Sequence, residues 1–227
     1  MNCFVVNFMT KIAIFDLDGT IDKGDTFLSF ITRIFLKSPK RWKYLPDLIL
    51  GYFSFLFNPN FIGLDLKLLF LEKIIKNQKS VFINIESQKF ALERIKNFSN
   101  KNILEIISEY KEAGYFLIIA SGSLDVYVKY FAENLHFDKY ICTELEIQNG
   151  DYTGLLKKGN CVGEKKFELI NIFLKENVMD WKNVVFFSDH HSDFPTFVAS
   201  RENFAVRPSR KLLNRLISNK IRFKTIN

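Results

Sequence analysis

The chain has 227 residues, of which 48% are hydrophobic, and its 32 basic and 25 acidic residues give a net charge of +7. This length suits one large domain or a core with one sizeable insertion, and the hydrophobic content excludes wholesale disorder. The basic excess is densest at residues 207–224. This charge indicates either a solvated basic helix or an anionic partner such as a phosphate or a membrane surface. No motif for nucleic-acid recognition accompanies it, so we expect no nucleic acid among the partners.

The first half of the chain is predicted to be one short strand followed by helices. Residues 11–15 are an apolar run typical of a buried strand. Apolar residues then recur at spacings of three and four, which predicts helices over residues 26–37, 41–57, 61–76, 80–97 and 100–113. The last of these helices is expected to end at Gly114, a favourable residue for a helix C-terminus.

The second half alternates between strand and helix patterns. Strands are predicted at residues 115–120, 139–143, 183–187 and 203–206; a hairpin at 145–156; and helices at 124–134, 164–175, 193–199 and 209–218. Apolar strands separated by helices favour a parallel sheet that is covered on both faces. We therefore predict an α/β protein with a Rossmann-like core formed by residues 1–21 and 98–227, and a helical cap formed by residues 22–97 and inserted after the first strand.

Cysteine content and the chain's apolar segments indicate where the protein is found. Three cysteines without metal-ligand spacing favour a reduced, cytoplasmic setting. Residues 1–8 lack the pattern of a signal peptide and are expected to be a loose extension, or to precede the true start at Met9. Residues 44–57 are apolar but shorter than a spanning helix, so we expect a buried helix, with an interfacial helix at the inner face of the membrane as the alternative.

Polar residues follow three of the predicted strands, and sites in open parallel sheets form beyond these strand ends. Asp16 and Asp18 follow the first strand in "FDLDGT", and "ASGS" follows the second. "SDHHSD" follows the strand at 183–187, and "CVGEKKF" places two lysines at a helix start. Carboxylates, a hydroxyl next to a glycine, and an ammonium suit phosphoryl transfer with Mg²⁺, which prefers oxygen ligands.

These four segments, in this order, resemble the motifs of the haloacid dehalogenase superfamily, and more narrowly its phosphoserine-phosphatase-like branch. The resemblance implies a phosphatase that forms an aspartyl-phosphate, with Asp16 as nucleophile and Asp18 as general acid and base. It implies that Ser121 and Gly122 bind phosphate. It also implies a Mg²⁺ site formed by Asp16, Asp18 through its carbonyl, Asp189 and, directly or through water, Asp193.

The motif lysine is either Lys165 or Lys166. Lys166 shares a helix face with Leu169, Ile170 and Phe173, and the family's Gly-x-x-Lys form agrees with that choice. We therefore expect Lys166 to point inward and take part in catalysis.

Other residues near these motifs have two interpretations each. His190 and His191 lack a third nitrogen or sulfur ligand at a suitable spacing, so we expect them to line the site rather than to hold zinc. Asp25 follows Asp18 by seven residues. The resemblance implies that it helps to select the substrate, and its position equally favours the N-cap of the helix that begins at Thr26.

The substrate is the least constrained part of the prediction. Phosphoserine-specific relatives carry a cap arginine, and Arg33, Arg41 and Arg94 are the candidates here. The apolar cap instead resembles that of branch members that dephosphorylate phosphatidylglycerophosphate. Together with the basic C-terminus, this resemblance implies a lipid phosphate at a membrane surface. The alternatives are phosphoserine or another small metabolite, transfer of phosphate to an acceptor other than water, and an inactive phosphate-binding module; the oligomeric state is open.

Overall fold

A computed structural model describes residues 10–58 and 63–227. The expectation for residues 1–8 and the start of the helix predicted at 61–76 lie outside the described residues. Within the described ranges no helix combines the length and hydropathy required to span a bilayer.

A six-stranded parallel sheet forms the centre of the molecule, which confirms the predicted fold class. Its order is β3-β2-β1-β6-β7-β8. A two-stranded antiparallel hairpin, β4-β5, lies outside it. The strands are β1 (Ile12–Phe15), β2 (Phe116–Leu124), β3 (Lys139–Thr143), β4 (Leu145–Gln148), β5 (Asp151–Leu156), β6 (Val184–Ser188), β7 (Glu202–Val206) and β8 (Lys224–Ile226).

The two central strands are buried along their whole length because helices cover both faces of the sheet. Every residue of β1 and of β6 is buried. Phe187 stacks between Phe15 of β1 and Phe204 of β7, with ring centroids 4.3 Å and 4.6 Å away. This aromatic column fixes the positions of three neighbouring strands, whose carboxyl ends carry the candidate site.

Nine α-helices lie in the described part of the chain. They are α1 (Thr26–Leu36), α2 (Leu45–Phe57), α3 (Gly63–Phe70), α4 (Ser80–Phe98), α5 (Lys101–Glu112), α6 (Asp125–Asn134), α7 (Glu164–Glu176), α8 (Phe194–Ala199) and α9 (Arg210–Ser218). Two predicted helices are subdivided: a 3-10 turn over Pro39–Tyr44 precedes α2, and a π turn over Leu71–Ile75 continues α3. Each α-helix otherwise lies close to its predicted position.

Helices α1 to α4, called here the inserted helical region, lie in the chain between β1 and α5. Two adjacent connections join this region to the rest of the protein. Asn100 donates its backbone N–H to Ile21 O at 2.8 Å, and Lys23 donates to Phe98 O at 3.0 Å. Between them, buried Asp22 pairs with Arg94, whose Nε lies 2.8 Å from Asp22 Oδ2. The two connections are therefore tied together by backbone bonds and by a buried ion pair.

The hairpin β4-β5 packs against the inserted helical region. Ser80 donates to Gly150 O at 2.9 Å, and Asn77 donates to Tyr152 O at 2.7 Å. Sequence patterns gave no sign of this contact, which joins segments about 70 residues apart. The sequence patterns also did not predict β8, because this strand has only three residues and two of them are exposed.

Candidate active site

The candidate residues line one cavity of about 710 Å³ between the sheet edge and the inserted helical region. The eight residues named from the sequence all border it: Asp16, Asp18, Asp25, Ser121, Gly122, Lys166, Asp189 and Asp193. β1, β2 and β6 bring most of them together because parallel strands end at a common edge.

Lys166 connects two of the carboxylates at the floor of this cavity. Its Nζ lies 3.1 Å from Asp16 Oδ1 and 2.8 Å from Asp193 Oδ2. Burial alone lowers the pKa of Lys166, but Asp16 and Asp193 outweigh it and hold the pKa above the ordinary value. The ammonium therefore stays charged beside Asp16, where it can offset negative charge on a transferring phosphoryl group.

The neighbouring lysine has a different environment. Lys165 lies on the exposed side of α7 and pairs with Glu168 at 3.0 Å. Only Lys166 of the two reaches the cavity, as its position among the apolar residues of α7 predicts.

Asp18 is held by two donors, one at the start of α1 and one on β2. The backbone N–H of Thr26 lies 2.6 Å from Asp18 Oδ1, and the Ser123 hydroxyl donates to Asp18 Oδ2. Burial raises the pKa of Asp18, and these hydrogen bonds oppose the rise. A carboxyl with a raised pKa next to a nucleophile is suited to exchange a proton with a leaving group and then with water.

Ser121 and Gly122 lie in an irregular part of β2. The β2–β3 register shifts between Ala120 and Leu124, so the backbone here leaves the regular ladder. The backbone N–H of Ser123 donates to Ser121 Oγ at 3.1 Å. This bond uses Ser121 Oγ as an acceptor and leaves its hydroxyl proton available for a substrate oxygen.

The carboxylates meet the requirements of a divalent cation. Asp189 Oδ1 and Asp193 Oδ1 are buried and have no hydrogen-bond partner within the described residues. Burial raises the pKa of Asp16; Lys166 opposes this rise, and Asp193 and Asp189 add to it. Burial likewise raises the pKa of Asp189 to about 6. Buried acids that crowd around one ammonium favour a further positive charge, and oxygen ligands suit Mg²⁺.

The side chains alone do not form a complete metal cage. Residues 10–58 and 63–227 contain no group of three His, Cys, Asp or Glu side chains arranged to hold an ion. The reason lies in their contacts: Asp193 faces Lys166, and the Asp18 carboxylate faces Thr26 and Ser123. The residues still fit Mg²⁺, which keeps several waters and needs one or two carboxylates.

Three residues with open interpretations can now be placed. Asp25 caps α1, because its Oδ1 accepts from Leu28 N at 2.8 Å, and it also borders the cavity. His190 borders the cavity as expected, and its Nδ1 lies 2.8 Å from Ser192 Oγ. The expectation for His191 is wrong, because His191 does not border the cavity.

The site also includes residues that sequence reasoning did not assign. Ser188 donates to Asp193 Oδ2 at 2.7 Å, and Thr26 Oγ1 lies 2.8 Å from Ser123 Oγ. Lys67 of α3 reaches the cavity from the inserted helical region. The two serines stand inside recognisable motifs, whereas Thr26 and Lys67 have no local signal because their roles depend on long-range contacts.

The wall contributed by the inserted helical region is mostly apolar. Its large apolar residues at the cavity are Phe27, Leu28, Tyr52, Phe55, Leu66 and Phe70. The three candidate arginines bind elsewhere: Arg33 pairs with Glu86 and Glu93, Arg41 donates to the carbonyls of Lys73 and Lys76, and Arg94 pairs with Asp22. None of the three borders the cavity.

The strand order and the acids at the strand ends define a class of α/β proteins that carry an inserted helical region and a candidate site for phosphoryl transfer. A model of the haloacid dehalogenase-like hydrolase family matches residues 13–197. Because this match covers most of the chain, the protein belongs to that family, and the resemblance seen in its motifs is confirmed.

One curated protein to which part of the chain is similar is a phosphoserine phosphatase. A phosphoserine phosphatase of Archaeoglobus fulgidus is 29% identical over 89 residues, which are 39% of this chain and 26% of that protein. The matched stretch therefore spans about a quarter of the curated relative's length.

Two solved structures share the fold. A protein of unknown function from Bordetella pertussis Tohama I aligns with a TM-score of 0.79 at 18% identity, covering 96% of this chain and 99% of that one. A phosphoserine phosphatase solved as a phospho-aspartyl intermediate analogue aligns with a TM-score of 0.62 at 17% identity, covering 96% and 93%. At these identities the likeness concerns the fold.

Proposed function

We propose that the protein is a Mg²⁺-dependent phosphatase that hydrolyses phosphomonoesters through an aspartyl-phosphate. The observation that supports this proposal most strongly is the position of charged Lys166 between Asp16 and Asp193, at the floor of a cavity that Asp18 and Ser121 also line. A nucleophile, a proton donor and donors for phosphoryl oxygens are thus present in one site.

Asp16 and Asp18 have separate tasks in this proposal. A carboxylate oxygen of Asp16 forms a bond to phosphorus while the ester O–P bond breaks, and Asp18 gives its proton to the leaving oxygen. Asp18 then takes a proton from a water molecule that attacks phosphorus, which releases Asp16 and inorganic phosphate. Lys166 and the Ser121 hydroxyl bind the phosphoryl oxygens in both steps.

In this proposal the carboxylates of Asp16 and Asp189 and the carbonyl of Asp18 would hold Mg²⁺, with Asp193 assisting directly or through water. When bound, Mg²⁺ supplies positive charge that polarises the phosphoryl group. Asp193 contributes indirectly as well, because it holds Lys166 in place.

Mg²⁺-dependent release of phosphate from p-nitrophenyl phosphate tests this function. We expect turnover with Mg²⁺, none with EDTA, and a loss of at least about 10⁴-fold in Asp16→Asn. Asp47→Asn, which changes an exposed carboxylate of α2, is the matched control and should keep full activity. Absence of turnover over a broad panel of phosphomonoesters would instead support an inactive phosphate-binding module.

For the substrate class, we propose a lipid phosphate taken from a membrane surface. The apolar cavity wall continues onto α2, where Leu50, Phe53 and Phe57 are 69%, 53% and 77% exposed. These three residues share one helix face, and the rings of Phe53 and Phe57 stack at 6.1 Å. A patch of this kind beside a cavity is typical of a contact surface.

Charge next to α2 favours an anionic membrane as the partner. Residues 37–57 contain four basic residues and one acid, Asp47, and Lys40 and Lys43 are exposed in the turn that precedes α2. A helix with exposed aromatic residues and flanking lysines suits the interface of an anionic bilayer. We propose peripheral contact, with α2 lying at the headgroup level beside the cavity mouth.

Flotation with vesicles tests the membrane proposal. We expect binding to vesicles that contain phosphatidylglycerol and weaker binding to neutral ones. The triple variant Leu50→Gln, Phe53→Gln, Phe57→Gln should lose vesicle binding and turnover of vesicle-borne phosphatidylglycerophosphate, yet keep turnover of p-nitrophenyl phosphate. The control triple Val81→Gln, Leu155→Gln, Ile217→Gln removes equally exposed apolar groups elsewhere and should behave as wild type.

Phosphoserine or another small metabolite remains the second candidate substrate, supported by the named relatives. The arginines of the inserted helical region weigh against phosphoserine, because none of the three borders the cavity to pair with a carboxylate. Faster turnover of phosphoserine than of any lipid phosphate, without vesicle binding, would favour this second candidate.

A further inference from the structure

Lys67 is a buried lysine that crosses from α3 to the sheet. Its side chain is 8% exposed, and its Nζ donates to Gly122 O at 2.6 Å and to Asn160 Oδ1 at 2.7 Å. Thr143 Oγ1 lies 3.5 Å away, and the ring of Phe27 covers the ammonium at 5.1 Å. The protein thus places a cation from the inserted helical region against the phosphate-binding segment.

The partners of this ammonium are all neutral. Among the ion pairs of the described residues, none includes Lys67, and the oxygens within hydrogen-bond distance are a carbonyl, an amide and a hydroxyl. Burial without a paired carboxylate is costly for a lysine, and it lowers the pKa of Lys67 to about 8, although Asp18 and Asp25 oppose this shift. A methionine would fill the same space without that cost, so the charge has a use beyond packing.

The hydrogen bonds of Lys67 fix one peptide group of the irregular β2 segment. Gly122 O accepts from Lys67 and from Thr143 Oγ1, the latter at 2.7 Å. The other end of the same peptide, Ser123 N–H, donates to Ser121 Oγ. Both ends of the Gly122–Ser123 peptide are therefore held, one by the inserted helical region and β3, the other by the candidate phosphate-binding hydroxyl.

Ser123 extends this chain of contacts to Asp18. Its hydroxyl donates to Asp18 Oδ2, while its backbone N–H contacts Ser121. A rotation of the Gly122–Ser123 peptide would therefore disturb both the Ser121 hydroxyl and the proton-transferring carboxyl.

We propose that Lys67 is a positioning residue: it fixes the Gly122–Ser123 peptide and so orients the Ser121 hydroxyl and the Asp18 carboxyl for the reaction. This inference rests on the proposed phosphatase function. Lys67 acts through Gly122 rather than on the substrate, because its N–H groups are directed at oxygens of the protein.

Lys67→Met tests the proposal, with Lys89→Met as the matched control. Lys89 lies on α4, also in the inserted helical region, and its side chain is 60% exposed. We expect Lys67→Met to lower kcat at least about 10-fold for p-nitrophenyl phosphate and for small alkyl phosphates alike, with an unchanged or higher melting temperature. Lys89→Met should match wild type in both measurements.

A second variant tests the route through Gly122. Thr143→Val removes the other side-chain donor to Gly122 O and should also lower kcat. Because both residues act on one carbonyl, the effects of Lys67→Met and Thr143→Val should be clearly non-additive in the double variant. Additive effects, or a Lys67→Met protein that melts earlier with unchanged kcat, would overturn the proposal.

Two further outcomes separate this inference from its alternatives. A rise in KM only for substrates whose leaving group is anionic would make Lys67 a substrate-binding residue and overturn its positioning role. Calorimetric binding of inorganic phosphate in the presence of Mg²⁺ gives a readout that does not require turnover. If wild type binds phosphate but is inactive, the phosphatase proposal fails, and weaker binding by Lys67→Met would still support the positioning of Ser121.

Discussion

The floor and the wall of the cavity each bury a lysine, but in opposite surroundings. At the floor, Lys166 lies between the carboxylates of Asp16 and Asp193, and its pKa is raised. At the wall, the ammonium of Lys67 donates hydrogen bonds to neutral oxygens, and burial lowers its pKa to about 8. In the proposed reaction, charge is therefore balanced where bonds would break, whereas the ammonium of Lys67 joins the wall to the sheet without a paired carboxylate.

Among the variants that compare the floor with the wall, the largest effect is expected from removing the floor lysine. Lys166→Met leaves two buried carboxylates without their shared cation and removes a donor for phosphoryl oxygens. We expect kcat/KM for p-nitrophenyl phosphate to fall by about 10³-fold or more. Lys165→Met, one position away and outside the cavity, is the control and should change kcat/KM less than about 2-fold. Equal losses in both variants would contradict the assignment.

The buried ion pair between Asp22 and Arg94 joins the inserted helical region to the rest of the protein, and we expect its loss to lower stability strongly. Arg94→Met leaves Asp22 fully buried without its partner, so we expect the free energy of unfolding in urea to fall by about 3–5 kcal/mol. Lys79→Met breaks an exposed pair with Asp151 and should cost no more than about 1 kcal/mol. A loss of about 1 kcal/mol in both would show that Asp22 and Arg94 are not the main link between the inserted helical region and the sheet.

The wall lysine should make activity and stability respond to pH in opposite directions. Its folded-state pKa of about 8 lies below the ordinary value of 10.5, so above pH 8 the unfolded chain binds more protons than the folded one. As the pH rises from about 8 to 10.5, the free energy of unfolding of wild type should therefore increase relative to that of Lys67→Met, by up to about 3 kcal/mol.

Activity should depend on whether Lys67 is protonated, and not on the change in stability. Turnover by wild type should fall above about pH 8 as Lys67 loses its proton, whereas Lys67→Met should lack that step. Nearby thiols do not interfere, because burial raises the pKa of Cys161 to about 12 and also raises that of Cys142. Identical pH–rate profiles for both proteins would show that the charge on Lys67 does not affect the reaction.

The smallest stability effects are expected from two glycine substitutions, which together distinguish backbone strain from steric crowding at the cavity floor. Gly19 has φ +74°, and an added Cβ would lie 2.1 Å from Asp189 Oδ2; Gly114 has φ +76° with nothing within 4 Å. Both Gly→Ala variants should lose about 1–2 kcal/mol of stability in thermal unfolding, because each forces a left-handed conformation on alanine. Only Gly19→Ala should also lose phosphatase activity, through displacement of Asp189.

The sequence by itself determined the parallel α/β core, because continuous apolar runs alternating with helical periodicity have few other solutions. It also indicated which residues meet at the floor, since Asp16 and Asp189 follow strands whose carboxyl ends share one edge of the sheet, and Ser121 lies in the irregular last part of β2 at the same edge. The choice of Lys166 over Lys165 was accessible for a similar reason: helical periodicity places it on the buried face.

Only the tertiary structure decided how the wall is built. Lys67, Thr26 and the hairpin β4-β5 contact their partners across many residues of sequence, and no local pattern encodes a contact that depends on how separate elements pack. The same holds for α2, whose apolar sequence suits a buried helix. The remaining helices leave most of it exposed, and that exposure, rather than hydrophobicity itself, is what indicates a partner surface.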